Sequence, residues 1–293
     1  MVLEHLFPEE WLEKKARYAF FLGAGYSIIG IFLSSMLFAK DPALPAVAFT
    51  SLLLLPELYK MFSIEERQQS QEKRYNVRTF WKDNGDFYRV FLFLFLGILI
   101  VYSLGSIMLP DFSVNTLFRE QVAVRGPSFG AAGHALSSET GTIVGSLLGN
   151  NITVFIAVFL VALLAGDGAI FLIVWNASVW GTIFGVTVRN AASFGHQSVI
   201  VLFVTVLFIV IWHVLLESSG YILAAISGGL ISKGTLMERF EGTKFARVFK
   251  DNMLILLIGL GVLALGAVVE ALVLVHSAKY QEIIALSYMA TFS

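Results

Sequence analysis

The chain has 293 residues, 57% of them hydrophobic and 14% charged, with a formal net charge of −1 and a mean hydropathy of +0.79. Soluble domains average about 45–50% apolar and about 25% charged residues, so this composition excludes an ordinary soluble domain, and no strongly basic face points to nucleic acid. The absence of cysteine excludes disulfides, thiolate catalysis and cysteine metal sites.

The few charges fall in clusters between apolar runs of about 18 residues or more, the signature of membrane spans. The N-terminus carries Glu4, Glu9 and Glu10, and no small-residue cleavage site follows a short apolar core. The first apolar segment is therefore expected to remain as an anchor. Residues 8–16 read either as a short interfacial helix, with Pro8 and two acids in its first turn and Trp11 at headgroup level, or as a plain juxtamembrane turn. Span 1 is predicted over 17–38, with Gly23, Ser27, Gly30 and Ser34 forming a stripe on which another helix can lie closely. The short break Lys40-Asp41-Pro42 makes a tight hairpin with span 2 (43–60), which ends at Pro56 and Glu57.

The segment 60–89 carries Lys60, Arg67, Lys73, Arg74, Arg78, Lys82 and Arg89. Span 3 follows at 90–109. Residues 110–148 then form a Gly- and Ser-rich connection whose only basic residues are Arg119 and Arg125. Basic loops stay cytoplasmic, so 60–89 is expected inside, 110–148 outside, and the N-terminus, with Lys14, Lys15 and Arg17, inside at the cell membrane. Spans 4 (148–165) and 5 (168–188) are joined by the Gly166-Asp167-Gly168 turn, with Asp167 solvated or interfacial. The last clear span is 252–276.

Between them, 196–231 is long for one span and short for two, and His213, Glu217, Ser218, Ser219 and Gly220 interrupt it. A full span followed by a re-entrant half-helix keeps the basic loop 233–250 inside and is the preferred reading; two spans would place that loop outside. The expected fold is an all-α polytopic membrane bundle of about seven spans plus this half-helix. It divides into a three-span region (1–139) and a C-terminal helical membrane domain (140–293).

Ionisable residues within spans are costly and carry the functional candidates. His213 and Glu217 are spaced i, i+4 and share a helix face; they fit a structural pair at a helix break, a proton or ion site, or a catalytic or metal pair. Two ligands do not make a zinc site, so no metal or other cofactor is expected. Asn150 and Asn151 open span 4 as caps, after Gly141, Gly145 and Gly149, whose spacing suggests a helix contact. Asn176 lies mid-span, with Gly181 and Gly185 in a GxxxG spacing beyond it, and Gly228 and Gly229 close the polar stretch. Asn151-Ile152-Thr153 and Asn176-Ala177-Ser178 match the glycosylation sequon but lie at or inside the membrane. Glu270, late in the last span, is placed where it could face Arg189 or His196. No phosphate loop, zinc helix or nucleophile elbow is present, so no catalytic residue is assigned.

Asn150-Asn151, the run Gly166-Asp167-Gly168-Ala169-Ile170-Phe171 and Trp175-Asn176-Ala177-Ser178 resemble the stage II sporulation protein M family, its archaeal members most of all. The family's membrane-embedded His-Gly-x-Pro-Glu motif is matched by His213-Val214-Leu215-Leu216-Glu217, with Val214 and Leu216 in place of its Gly and Pro. Ala224-Ala225-Ile226-Ser227-Gly228-Gly229 takes the place of the small-residue helix behind it. Residues 21–27 and 55–59 also look like the archaeal branch. The resemblance implies a multispan protein without established catalysis; in spore-forming bacteria the family's member is a membrane scaffold for cell-wall hydrolases. The leading expectation is a scaffold or membrane-remodelling protein, with the bilayer and other proteins or further copies of itself as partners. The alternative is a transporter or channel for a small solute or ion that uses the broken segment 196–231, and a third reading is an intramembrane enzyme built on His213 and Glu217.

Overall fold

A chain in hydrocarbon must satisfy every backbone N–H and C=O internally, and the computed structural model, which describes residues 16–71, 77–124, 140–237 and 243–292, does so with helices alone. In chain order these are α1 (Tyr18–Leu37), α2 (Ala43–Gln71), α3 (Val77–Met108), the short α4 (Asp111–Leu117), α5 (Thr140–Ala165), a 3-10 turn (Gly166–Ala169), α6 (Ile170–Gly195), α7 (Val199–Met237), α8 (Thr243–His276) and α9 (Ala278–Phe292). Six stretches are long and apolar enough to cross a membrane: Tyr18–Leu37, Phe87–Met108, Gly141–Ala165, Ile170–Gly195, Val199–Ser232 and Val248–His276. The apolar part of α2, Ala43–Pro56, is shorter. The chain is thus an all-α polytopic membrane bundle. The polar 60–89 region is helical on both sides of 72–76. The interfacial helix expected at 8–16 lies, but for Ala16, outside the described residues, as do residues 125–139 of the 110–148 connection.

One element differs from expectation. The segment 196–231 neither breaks at His213–Gly220 nor re-enters; from Val199 on it belongs to a single helix of 39 residues, roughly 58 Å long at about 1.5 Å per residue. The Ser218 and Ser219 hydroxyls donate back to the Leu215 carbonyl within the helix, so these polar side chains need no unwound backbone. Gly220 serves packing instead, since a Cβ there would sit 2.9 Å from Leu263 Cβ on α8. A preceding boundary is real: His196 ends α6 in the left-handed conformation at φ 49°, with its N–H bonded to the Ala192 carbonyl.

Close backbone approach sets the packing. α1 and α2 form an antiparallel hairpin, and a Cβ on Gly30 would overlap Thr50 Oγ1, which donates to the Ala46 carbonyl at 2.8 Å. α1 crosses α3 where Gly23 meets the Leu94 carbonyl and Gly97 meets that of Phe20. α6 lies along α3, with Gly181 and Gly185 seated on the Leu99 and Ser103 carbonyls. At one end of the bundle Arg119 bridges Asp41 and Glu120. At that same end Arg189 donates to the Leu109 carbonyl at 2.9 Å and pairs with Asp111.

α7 changes character along its length. Its first half exposes Ile200, Val201, Val204, Phe208 and Trp212, a lipid-facing stripe. From Glu217 to Ile231 every residue is buried, enclosed mainly by α8, α5, α6 and α3. Tyr88 of α3 and Ser219 of α7 share a hydrogen bond of 2.6 Å, and Ser227 donates to the Asn252 carbonyl of α8 at 2.6 Å.

Gly181→Leu or Gly185→Leu should therefore lower stability by about 1–3 kcal/mol, the usual cost of overpacking. Gly145→Leu should leave it nearly unchanged in the isolated chain, because no described residue lies within 4 Å of a Cβ at that position. Thermal unfolding of the detergent-solubilised protein reads the difference, and equal losses at the two kinds of site would contradict the packing described.

Candidate functional site

Glu217 sits where the enclosed half of α7 begins, 1% exposed, one turn after His213, also 1% exposed. The antiparallel α8 passes directly over it. Gly266 provides the room: a Cβ there would lie 2.8 Å from Glu217 Cγ and 3.2 Å from its backbone nitrogen. Glu270 follows one turn later on the same face of α8, which brings it within electrostatic reach of Glu217. Asn151 of α5, 5% exposed, faces Glu217 from a third helix. Tyr221, one turn beyond Glu217, donates its hydroxyl to Asn151 Oδ1 at 3.2 Å. Tyr280, at the start of α9, lies beside Glu270.

These groups are under-satisfied. Neither carboxyl oxygen of Glu217 has a hydrogen-bond partner of good geometry, nor has Asn151 Nδ2. An unpaired buried polar group costs about 1–3 kcal/mol, and more when it is charged. Two carboxylates side by side out of water cannot both ionise without a counter-charge, because their repulsion is only weakly screened there. The Asn151 amide oxygen is taken by Tyr221, so the edge left for Glu217 carries N–H donors. Among the described residues no three His, Asp or Glu side chains gather in a way that could hold a metal ion.

His213 and Glu217 share a face but not a partner, and no hydrogen bond joins them. The His213 ring packs at a tilt against Trp180 of α6, with centroids 5.5 Å apart and planes at 49°, and its Nδ1 is unpaired. Glu270 does not face Arg189, whose guanidinium is committed to Leu109 and Asp111. Asn150 is exposed. Asn176 donates to the Leu172 carbonyl of its own helix at 2.7 Å and joins no cluster. Gly181 and Gly185 contact α3, and Gly228 lies 2.6 Å, at a Cβ, from the Phe159 carbonyl of α5, with buried Gly229 beside it. Gly141, Gly145 and Gly149 are exposed, and no described residue lies within 4 Å of a Cβ at any of them. The Asp167 side chain lies outside the described residues.

Sequence reasoning thus named Glu217 and Asn151 but missed Tyr221, Gly266 and the place of Glu270. Two spacings carried the signal: Glu217 and Tyr221 are four apart on α7, and Gly266 and Glu270 are four apart on α8. Each pair marks one helix face, and a glycine one turn before an intramembrane acid is the room that an opposing side chain needs.

Asn151→Leu removes the one amide facing Glu217 and should lower thermal stability by about 1–3 kcal/mol, whereas Asn150→Leu on the exposed side should stay within about 0.5 kcal/mol. Equal effects in a thermal melt of the two variants would contradict the placement of Asn151. Compared with protein-family models, with curated proteins and with solved structures, the chain matches none, so the functional reading rests on this geometry.

Proposed function

We propose that this multispan membrane protein, in direct contact with the lipid bilayer, is a transporter-class protein that handles a proton or small cation at the Glu217–Glu270 pair. The N-terminus and the 60–89 segment then lie on the cytoplasmic face of the cell membrane, as their basic residues favour. The observation that carries the reading is the pair itself: two carboxyls from different helices, brought together where α7 is enclosed on all sides. Intramembrane acids of this kind are costly and mark ion paths and proton relays. The unbroken α7 removes the half-helix route considered from the sequence and leaves the carboxyl pair as the support.

A second reading, a scaffold that binds partner proteins, is supported by a separate observation. α5 leaves Gly141, Gly145 and Gly149 bare on one exposed face, which suits close approach by a helix of another chain. The resemblance of residues 140–235 to stage II sporulation protein M supports the same reading. Under it, Gly145→Leu abolishes association with a partner or a second copy and leaves the fold intact.

The transport reading is tested by reconstituting the purified protein in liposomes that enclose a pH-sensitive dye and imposing proton and cation gradients. Glu217→Gln and Glu270→Gln should each reduce flux at least tenfold (about 1.4 kcal/mol), while Asn176→Ala, outside the cluster, should retain it. Undiminished flux in the double Gln variant would exclude the pair as the site, and no flux in the parent protein would exclude the function.

A further inference from the structure

A second set of buried polar groups lies in the N-terminal half, away from Glu217, at the seam where α6 rests on α3. Tyr102 and Ser106 stand one turn apart on α3, and Ser178 and Thr182 one turn apart on α6. The seam glycines set the register between them. A Cβ on Gly181 would lie 2.9 Å from Tyr102 Cβ, and one on Gly185 would lie 2.7 Å from Ser106 Cβ. The chain beyond α4 closes one side of this seam. The Phe118 ring packs against that of Tyr102, with centroids 5.1 Å apart, and Gln121 donates from Nε2 to Ser178 Oγ at 3.3 Å. Helical side chains lean toward the start of their own helix, so Tyr102 carries its hydroxyl toward the level of Leu99, where Gly181 is seated beside Thr182.

Tyr102, Ser106, Gln121 and Thr182 are each 0% exposed. Yet Tyr102 Oη, Ser106 Oγ, Gln121 Oε1 and Thr182 Oγ1 have no hydrogen-bond partner among the described residues. Their neighbours on the same two helices do: Ser103 donates to the Leu99 carbonyl at 2.9 Å, and Ser178 to that of Trp175 at 2.7 Å. Buried polar groups left unpaired are costly, and ordered water is what commonly completes them. None of the four groups carries charge, so the set offers an ion no counter-charge. It does offer both donors and acceptors, since a hydroxyl can act either way and the Gln121 oxygen accepts. A buried water makes about three hydrogen bonds, and Tyr102, Gln121 and Thr182 supply three groups at one level.

We propose that the α3–α6 seam is a binding site for ordered water, held by Tyr102, Gln121 and Thr182, with Ser106 one turn farther along α3. The site stands apart from the Glu217–Glu270 reading and requires no transport. It makes the wall of the bundle hydrated at one place and dry along the rest of α3.

Hydroxyl-radical footprinting by X-ray radiolysis tests this on the full-length protein in lipid nanodiscs, because radicals formed from a bound water attack the side chains beside it. Labelling is read by peptide mass spectrometry and corrected for the intrinsic reactivity of each residue type. The expected result is labelling of Tyr102 and Phe118 severalfold faster than of Phe91 and Phe95, buried rings on the same α3 helix. Gln121→Leu with Thr182→Val, which removes two of the three groups at similar volume, should bring Tyr102 down to the level of Phe95. Tyr102 and Phe118 labelled no faster than Phe91 and Phe95 in the parent protein would show a dry seam and overturn the proposal. So would parental labelling of Tyr102 in the double variant while Phe91 and Phe95 stay protected. The comparison within the parent protein needs no variant, so a double variant that fails to fold leaves the test decisive.

Discussion

An acid removed from water must be neutralised or solvated by its neighbours, and Glu217 meets that constraint with very few groups. Its own helix contributes Tyr221, α5 contributes one amide, and α8 contributes a second acid. Each neighbour depends on close helix approach. α8 reaches α7 through three glycines: Gly220 against Leu263, Gly259 against Leu223, and Gly266 against Glu217 itself. α5 is held on α7 by Gly228, whose Cβ would press on the Phe159 carbonyl and Ala162. A side chain at any of these positions would push a helix outward and strand the acid. The packing of the C-terminal half and the chemistry of its polar cluster are therefore the same problem.

The N-terminal half supplies a firmer wall. α1, α2 and α3 are interlocked through Gly23, Gly30 and Gly97, and α6 is seated on α3 through Gly181 and Gly185. Hydroxyls in these helices mostly bond to the carbonyl one turn back, as Ser27, Ser51 and Ser103 do, so they present little to neighbouring helices. Arg189 and Arg119 then tie the α3–α4 region to α6 and to the α1–α2 turn. The under-satisfied polar atoms are not confined to the cluster: Tyr102, Ser106 and Thr182 also lack partners. What distinguishes Glu217 is its capacity for charge and a second acid within reach.

Much of the architecture was legible because hydropathy and charge spacing report directly on the bilayer. The α1–α2 hairpin, the long α3, and the α5–α6 hairpin fall close to their expected places. α7 was misread because Ser218-Ser219-Gly220 looks like a helix break in one dimension; in the fold the serines bond within the helix and the glycine admits α8. Gly141, Gly145 and Gly149 show the converse error. Their spacing is ideal for packing, yet no described residue lies within 4 Å of a Cβ at any of them, because the sequence tells which residues share a face but not which face is used. The pairing of His213 with Glu217 failed for a related reason: the i, i+4 spacing places them together, but Trp180 takes one and α8 the other. Glu270 could not be paired from sequence at all, since its partner is set by the register of two antiparallel helices fixed at Gly266.

The central claim, that Glu217 and Glu270 act as one coupled unit, is tested most directly by a double-mutant cycle of thermal stability with Glu217→Gln, Glu270→Gln and both together. Coupled acids give a strongly non-additive cycle, with an interaction of about 0.5–3 kcal/mol that shrinks toward zero at acid pH, where both carboxyls are protonated. An additive cycle at every pH would show two independent acids and contradict the account.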